Sequence, residues 1–106
     1  MNPSKMKLVT VVCEVALTSK IVELAKSLGA SGFTLTDVGG EGSEGRAFDD
    51  AHDRKSKIEF VCPAPLASRA MKEIQDRYFS DYSVITYSID VEVLRVGKFK
   101  KEVSRV

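Results

Sequence analysis

The chain has no tryptophan, only two cysteines and three prolines, and no apolar run approaching the roughly 18 residues that would span a bilayer. Its cysteines, Cys13 and Cys62, sit inside hydrophobic runs without CxxC spacing, which argues against a redox or structural zinc motif and for buried, reduced thiols. No small-residue cleavage site follows the short apolar run of the opening stretch, so no secretory leader is expected and the cytoplasm is the expected compartment. An excess of one charge is missing too. Sixteen Lys plus Arg face fifteen Asp plus Glu for a net charge of +1, without the global field of a dedicated nucleic-acid binder. What is present, 43% hydrophobic residues in a length of 106, suits one compact domain over residues 1–106 rather than a disordered or low-complexity chain.

The hydrophobic pattern divides the chain into six elements. Met6 to Cys13 is rich in valine and too short for a core helix, so it reads as a buried strand. Leu17, Ile21, Leu24, Ala25 and Leu28 recur at helical steps, with Thr18 as a candidate N-cap and Gly29 as a terminator. Phe33, Leu35 and Val38 make a short second strand. After a long loop, Ile58, Phe60 and Cys62 alternate with Lys57, Glu59 and Val61 in a third strand, and Pro63 with Pro65 ends it and opens a helix. Ala67, Ala70, Met71, Ile74 and Tyr78 trace that second helix, and Ser83 to Val96 reads as the last strand. The order βαββαβ, with right-handed crossovers, predicts a ferredoxin-like α+β sandwich: four antiparallel strands with both helices on one face. Strands this apolar should not leave the other face in water, so a further copy of the chain is expected to cover it.

The densest chemical candidate is Asp37-Val38-Gly39-Gly40-Glu41-Gly42-Ser43-Glu44-Gly45-Arg46. Four glycines leaving a strand can bring successive backbone N–H groups close to phosphate oxygens, while Ser43 adds a hydroxyl and Arg46 a charged fork. No GK[ST] follows and no helix begins after it, so it is neither a Walker loop nor a dinucleotide fingerprint, and a plain surface loop remains open. Asp49, Asp50, His52 and Asp53 could hold a hard metal ion or form a solvated acidic segment. Residues 37–54 carry six acids and two bases, so an anion there needs charge from elsewhere. The cluster Arg95-Val96-Gly97-Lys98-Phe99-Lys100-Lys101, opening the basic tail of about 98–106, is one source and a neighbouring subunit another. No nucleophile is tied to His52 by spacing, and no covalent catalysis is expected.

With those pieces in place the chain resembles the PII-like signalling proteins, in particular the branch associated with bicarbonate transporters and carboxysomes. The resemblance rests on Gly32-Phe33-Thr34-Leu35-Thr36-Asp37-Val38, Gly39-Gly40-Glu41-Gly42-Ser43, Lys57-Ile58-Glu59-Phe60, Tyr78-Phe79-Ser80-Asp81-Tyr82 and Val91-Glu92-Val93-Leu94, spread in order over residues 6 to about 97. It implies a homotrimer with nucleotide sites between neighbouring subunits. Thr34 would lie near the adenine, Val38 and Gly39 at the start of the loop, Gly40 and Gly42 along the phosphate path beside Ser43, and the backbone around Cys62 near the base. Arg46, Arg95 and Lys98 would meet the phosphates or a bicarbonate ion. The segment of about 41–54 would be the signalling T-loop, which carries ligand state to a membrane bicarbonate transporter and so brings the protein to the inner face of the membrane.

The departures narrow the ligand. Nitrogen-regulating PII proteins have a basic residue at the position of Ser43, a lysine at that of Tyr82 and an arginine at that of Val93. Without these charges the chain suits AMP, ADP or cyclic AMP better than ATP with magnesium. It also lacks the uridylylated tyrosine of the loop and the paired C-terminal cysteines of some relatives. Two other readings use the same fold. A small divalent-metal-binding trimer resembling the cation-tolerance proteins would depend on Asp49, Asp50 and His52. An acylphosphatase-like enzyme would need an arginine beside Val12-Cys13-Glu14-Val15-Ala16, which offers none.

Overall fold

The computed structural model describes residues 2–39 and 54–95, and the order βαββαβ is present in them. Strand β1 (Ser4–Glu14) runs through a 3-10 turn (Val15–Leu17) into helix α1 (Thr18–Ser27). Strands β2 (Thr34–Val38) and β3 (Lys55–Cys62) follow, then helix α2 (Ala64–Tyr78) and strand β4 (Ile85–Val93). The sheet order is β2-β3-β1-β4 and all three pairings are antiparallel, which is the ferredoxin-like arrangement.

Strict alternation decides which residues meet the helices. On β1, Val9, Val11 and Cys13 point one way; their partners on β3 are Phe60, Ile58 and Ser56. In a direct cross-strand pair both side chains lie on the same face, so these residues form one layer. That layer packs against Leu17, Ile21, Leu24 and Ala25 from the first helical segment and Ala67, Ala70 and Ile74 from α2. Phe60, Leu17, Ile21, Ile58 and Ile74 are fully buried there. Each contributes about 1.5–3 kcal/mol relative to exposure, so the helix-side layer is the main source of cohesion within the chain.

Element boundaries depart from the sequence pattern for local reasons. Leu17 belongs to the 3-10 turn, and Thr18 is already helical, so α1 starts without a side-chain cap. Its other end follows the expected rule. Gly29 has φ +107, its N–H donates to the Lys26 carbonyl at 2.9 Å, and the Ala30 N–H donates to the Ala25 carbonyl at 3.0 Å. These paired bonds form a Schellman ending, which requires a left-handed residue at Gly29. Helix α2 starts from extended Pro63 with Pro65 in its first turn, where a missing N–H costs nothing. Strand β4 is shorter than the Ser83 to Val96 run. It begins at Ile85, opposite Val12, because the Ser83 N–H donates to the Glu14 carboxylate instead of a strand.

The second sheet face carries Met6, Leu8, Thr10 and Val12 from β1 beside Val91, Ile89, Tyr87 and Ile85 from β4. Neither helix packs on it. Ile85, Tyr87 and Ile89 are about half exposed within the single chain, whereas Thr10, in the centre, is buried between its neighbours.

Candidate functional site

A groove of about 370 Å³ opens at the β2 edge, lined by Leu8, Gly32, Phe33, Thr34, Glu59, Phe60 and Val61. Its size is at the lower end of small-molecule sites, and its lining is about as polar as it is apolar. Two features of the sequence build it. Gly32 has φ +71, a left-handed conformation that turns the chain into β2, and a side chain there would meet open space rather than a clash. Glycine is therefore needed for its backbone and not for a close approach. Phe33 then packs on Phe60 with ring centroids 5.4 Å apart, which anchors the first residue of the groove to the core.

The polar side of the groove follows from strand register. Thr34 pairs with Glu59, Glu59 with Thr10 and Thr10 with Tyr87, so one row crosses all four strands on the helix-free face. The Thr86 hydroxyl donates to the Thr10 carbonyl at 3.0 Å and fixes β4 against β1 beside that row. Thr34 and Glu59 thus supply a hydroxyl and a carboxylate at the mouth. Glu59 and Val61 were read from sequence only as members of the third strand. The signal that identifies them is alternation: they share the parity of Lys57, on the same face as Thr34 once β2 and β3 pair.

At the far end of β2, Val38 pairs with Lys55 and Gly39 leaves the strand, while Arg54 precedes Lys55. Both roots of the glycine-rich loop therefore sit at one end of the sheet. Four strand steps, about 13 Å, separate Thr34 from Val38 along β2. Gly40, Gly42, Ser43 and Arg46, with the rest of the 41–53 segment and its Asp49, Asp50, His52 and Asp53, lie outside the described residues.

Cys62 and Arg95 fall elsewhere. The Cys62 side chain is completely buried on the helix side, and its thiol is pushed up to about 11 by burial. The neighbouring Val61, not the Cys62 side chain, lines the groove. Arg95 has φ +57 and follows β4 just past Val93, which pairs with Ser4. Glu14, beside Lys55, is at the opposite end of β1. Ten strand steps, roughly 33 Å, lie between Ser4 and Glu14. One chain consequently does not bring Arg95 to its own loop roots. Lys98 and the remainder of the tail lie outside the described residues.

Comparison with known proteins agrees with this fold. The family "Nitrogen regulatory protein P-II" matches residues 6–98. A PII-like signaling protein from Thermus thermophilus is 37% identical, with 93% of this chain and 99% of that chain covered and a TM-score of 0.82. CPII from Thiomonas intermedia, a nitrogen regulatory PII-like protein solved with ADP, AMP and bicarbonate, has 22% identity and a TM-score of 0.82 over 93% of this chain and 97% of its own. The same CPII solved with ADP, AMP and acetate gives 21% identity and a TM-score of 0.79 over 95% of this chain and 100% of that one. The chain belongs to the nitrogen regulatory protein P-II family. That family consists of signalling regulators rather than enzymes.

Proposed function

We propose that this chain is a sensor of adenine nucleotides, AMP or ADP with cyclic AMP as a further candidate, that acts as a homotrimer through its 41–54 loop. The observation that carries the reading is the groove in which Thr34 faces Glu59, set on the strand whose other end launches the glycine-rich segment. A base in the groove would direct its phosphates along β2 towards Val38, Gly39, Gly40, Gly42 and Ser43, with the backbone at Val61 and Cys62 flanking the base. Arg46 would meet the phosphates from the loop. Arg95 and Lys98 would do so from a neighbouring subunit, since Arg95 stands at the opposite end of its own sheet. The apolar helix-free face supports trimer formation.

Bicarbonate is the second proposed effector, supported by its presence in CPII with ADP. A small monovalent anion needs few donors, and the same cationic side chains would serve it. The proposed output is control of inorganic-carbon uptake through a membrane transporter that the loop engages. No helix among the described residues is long and apolar enough to cross a membrane itself. Ligand contact at the loop root would shift the population of a transporter-binding form.

Calorimetry on nucleotide-free protein tests the reading. AMP or ADP should bind at least tenfold more tightly than GMP or GDP. Equal affinities would remove the adenine specificity, and no binding would return the glycine segment to a plain surface loop. Repeating the titration with bicarbonate at constant pH and ionic strength should change both apparent affinities by one factor, as linkage requires. Transporter capture that never varies with ligand would overturn the signalling output while leaving nucleotide binding intact.

A further inference from the structure

One row of contacts crosses the end of the sheet from which the loop leaves. Val38 pairs with Lys55, Lys55 pairs with Glu14, and the Val15 N–H donates to the Arg54 carbonyl at 3.2 Å. Beyond β1 the row has no strand partner, because β4 starts only at Ile85, opposite Val12. A side chain completes it. Glu14 Oε2 accepts the Ser83 N–H at 3.0 Å, a bond between residues 69 positions apart. This is the α2–β4 corner, where Phe79, Asp81 and Tyr82 wrap the end of α2. The Asp81 and Tyr82 N–H groups donate to the Tyr78 carbonyl at 3.3 and 3.0 Å, and the Tyr82 ring stands edge-on to Tyr78 at 6.1 Å.

We propose that Glu14 is a positioning residue which couples the Arg54–Lys55 loop root to the α2–β4 corner. Its backbone is held by the root and its carboxylate holds the corner, so displacement of one is passed to the other across β1. The proposed two-state element is the Ser83 N–H, bound to the carboxylate at 3.0 Å in one state and to water in the other. A charged acceptor makes the first state the stronger bond. The functional consequence rests on the nucleotide reading. A ligand that orders the loop root would also order residues 79–83, and a contact at the corner would change affinity at the root by the same factor.

Amide exchange followed by NMR on the full chain, with Glu14→Ala and Glu14→Gln beside wild type, tests this. Without ligand, and after correction for intrinsic rates, Glu14→Ala should speed exchange at Ser83 by at least tenfold and at Val15 by at least threefold. Glu14→Gln retains an acceptor oxygen and should restore most of both. An unchanged Ser83 rate in Glu14→Ala would mean that the tie does not exist in solution. Acceleration at Ser83 alone would mean that it holds the corner without reaching the root, and either result overturns the proposal. Addition of ADP should slow both amides in wild type and only Val15 in Glu14→Ala. If ADP does not bind wild type, the nucleotide reading fails, while the ligand-free rates still decide the tie. Should the alanine variant unfold, Glu14→Met, which keeps a side chain of similar length but offers no oxygen acceptor, carries the same comparison with the same expected rate changes.

Discussion

Leu8 on β1 stands directly opposite Ile89 on β4, on the sheet face that neither helix covers, and Ile89 is 52% exposed in the single chain. Met6 beside Val91 and Val12 beside Ile85 extend the same apolar strip. Burying a side chain of this size is worth about 1.5–3 kcal/mol, so several together give a second copy of the chain a strong reason to cover the face. Light scattering coupled to gel filtration at micromolar concentration should give about three times the 11.6 kDa chain mass. Ile89→Asp should shift the mass to that of one chain with the helix content kept, because it puts a charge into the covered face without touching the core. A wild-type monomer would remove both the trimer and the intersubunit nucleotide site.

Arg46→Ala is expected to weaken AMP and ADP binding by roughly tenfold to a hundredfold, since a hydrogen bond to a charged group is worth about 1.5–3 kcal/mol. The thermal midpoint should not move. Titration of mutant and wild type side by side gives the answer, and unchanged affinity for both nucleotides would shift the anion contact to Arg95 or Lys98.

Gly29→Ala should destabilise the fold by about 1–2 kcal/mol through the left-handed backbone of the α1 ending alone. Urea denaturation should show a lower midpoint with an unchanged slope. Nucleotide affinity, measured where the variant is still folded, should match wild type because none of the residues in the Schellman bonds lines the groove.

Both thiols provide a pH test. Burial, reinforced at Cys13 by the neighbouring Glu14 charge, pushes each up to about 11 from an ordinary value of 9.0. The folded state therefore keeps a proton that the unfolded chain gives up, so this contribution to stability is complete below about pH 9 and is lost as pH rises from 9 towards 11. Denaturation midpoints recorded across that window should fall, and fall less in Cys62→Ala than in wild type once each is referenced to its own value at pH 8. Neither thiol should react with a disulfide reagent in the native protein at neutral pH. Rapid labelling there would contradict the burial of both.

Much of the fold was legible in the residues. Alternation on β3, with Ser56, Ile58, Phe60 and Cys62 buried and Lys55, Lys57, Glu59 and Val61 turned the other way, is local information that any single strand carries. The Gly29 ending and the Pro63 start of α2 were readable for the same reason, since each depends on a backbone preference of one residue. Boundaries fared less well: where β4 begins depends on the Ser83 N–H finding the Glu14 carboxylate, and no pattern within residues 83–96 contains that partner.

The candidate site divides in the same way. From residue types came the glycine segment and the strand that leaves into it at Val38 and Gly39, whereas Thr34 entered as a site residue through the family resemblance. The pairing of Thr34 with Glu59 and the part of Val61 and Gly32 in the groove were decided only when β2 docked on β3 in a particular register. A shift of one residue would have reversed every one of those facings. Arg95 makes the same point at longer range. Its charge is written in the chain, but its distance from the loop roots follows from the antiparallel course of β4 along β1, which carries the end of the strand to Ser4 while the loop leaves beside Glu14. Residue type and periodicity are properties of neighbours along the backbone, whereas register and strand direction are settled by the packing energy of the whole sheet.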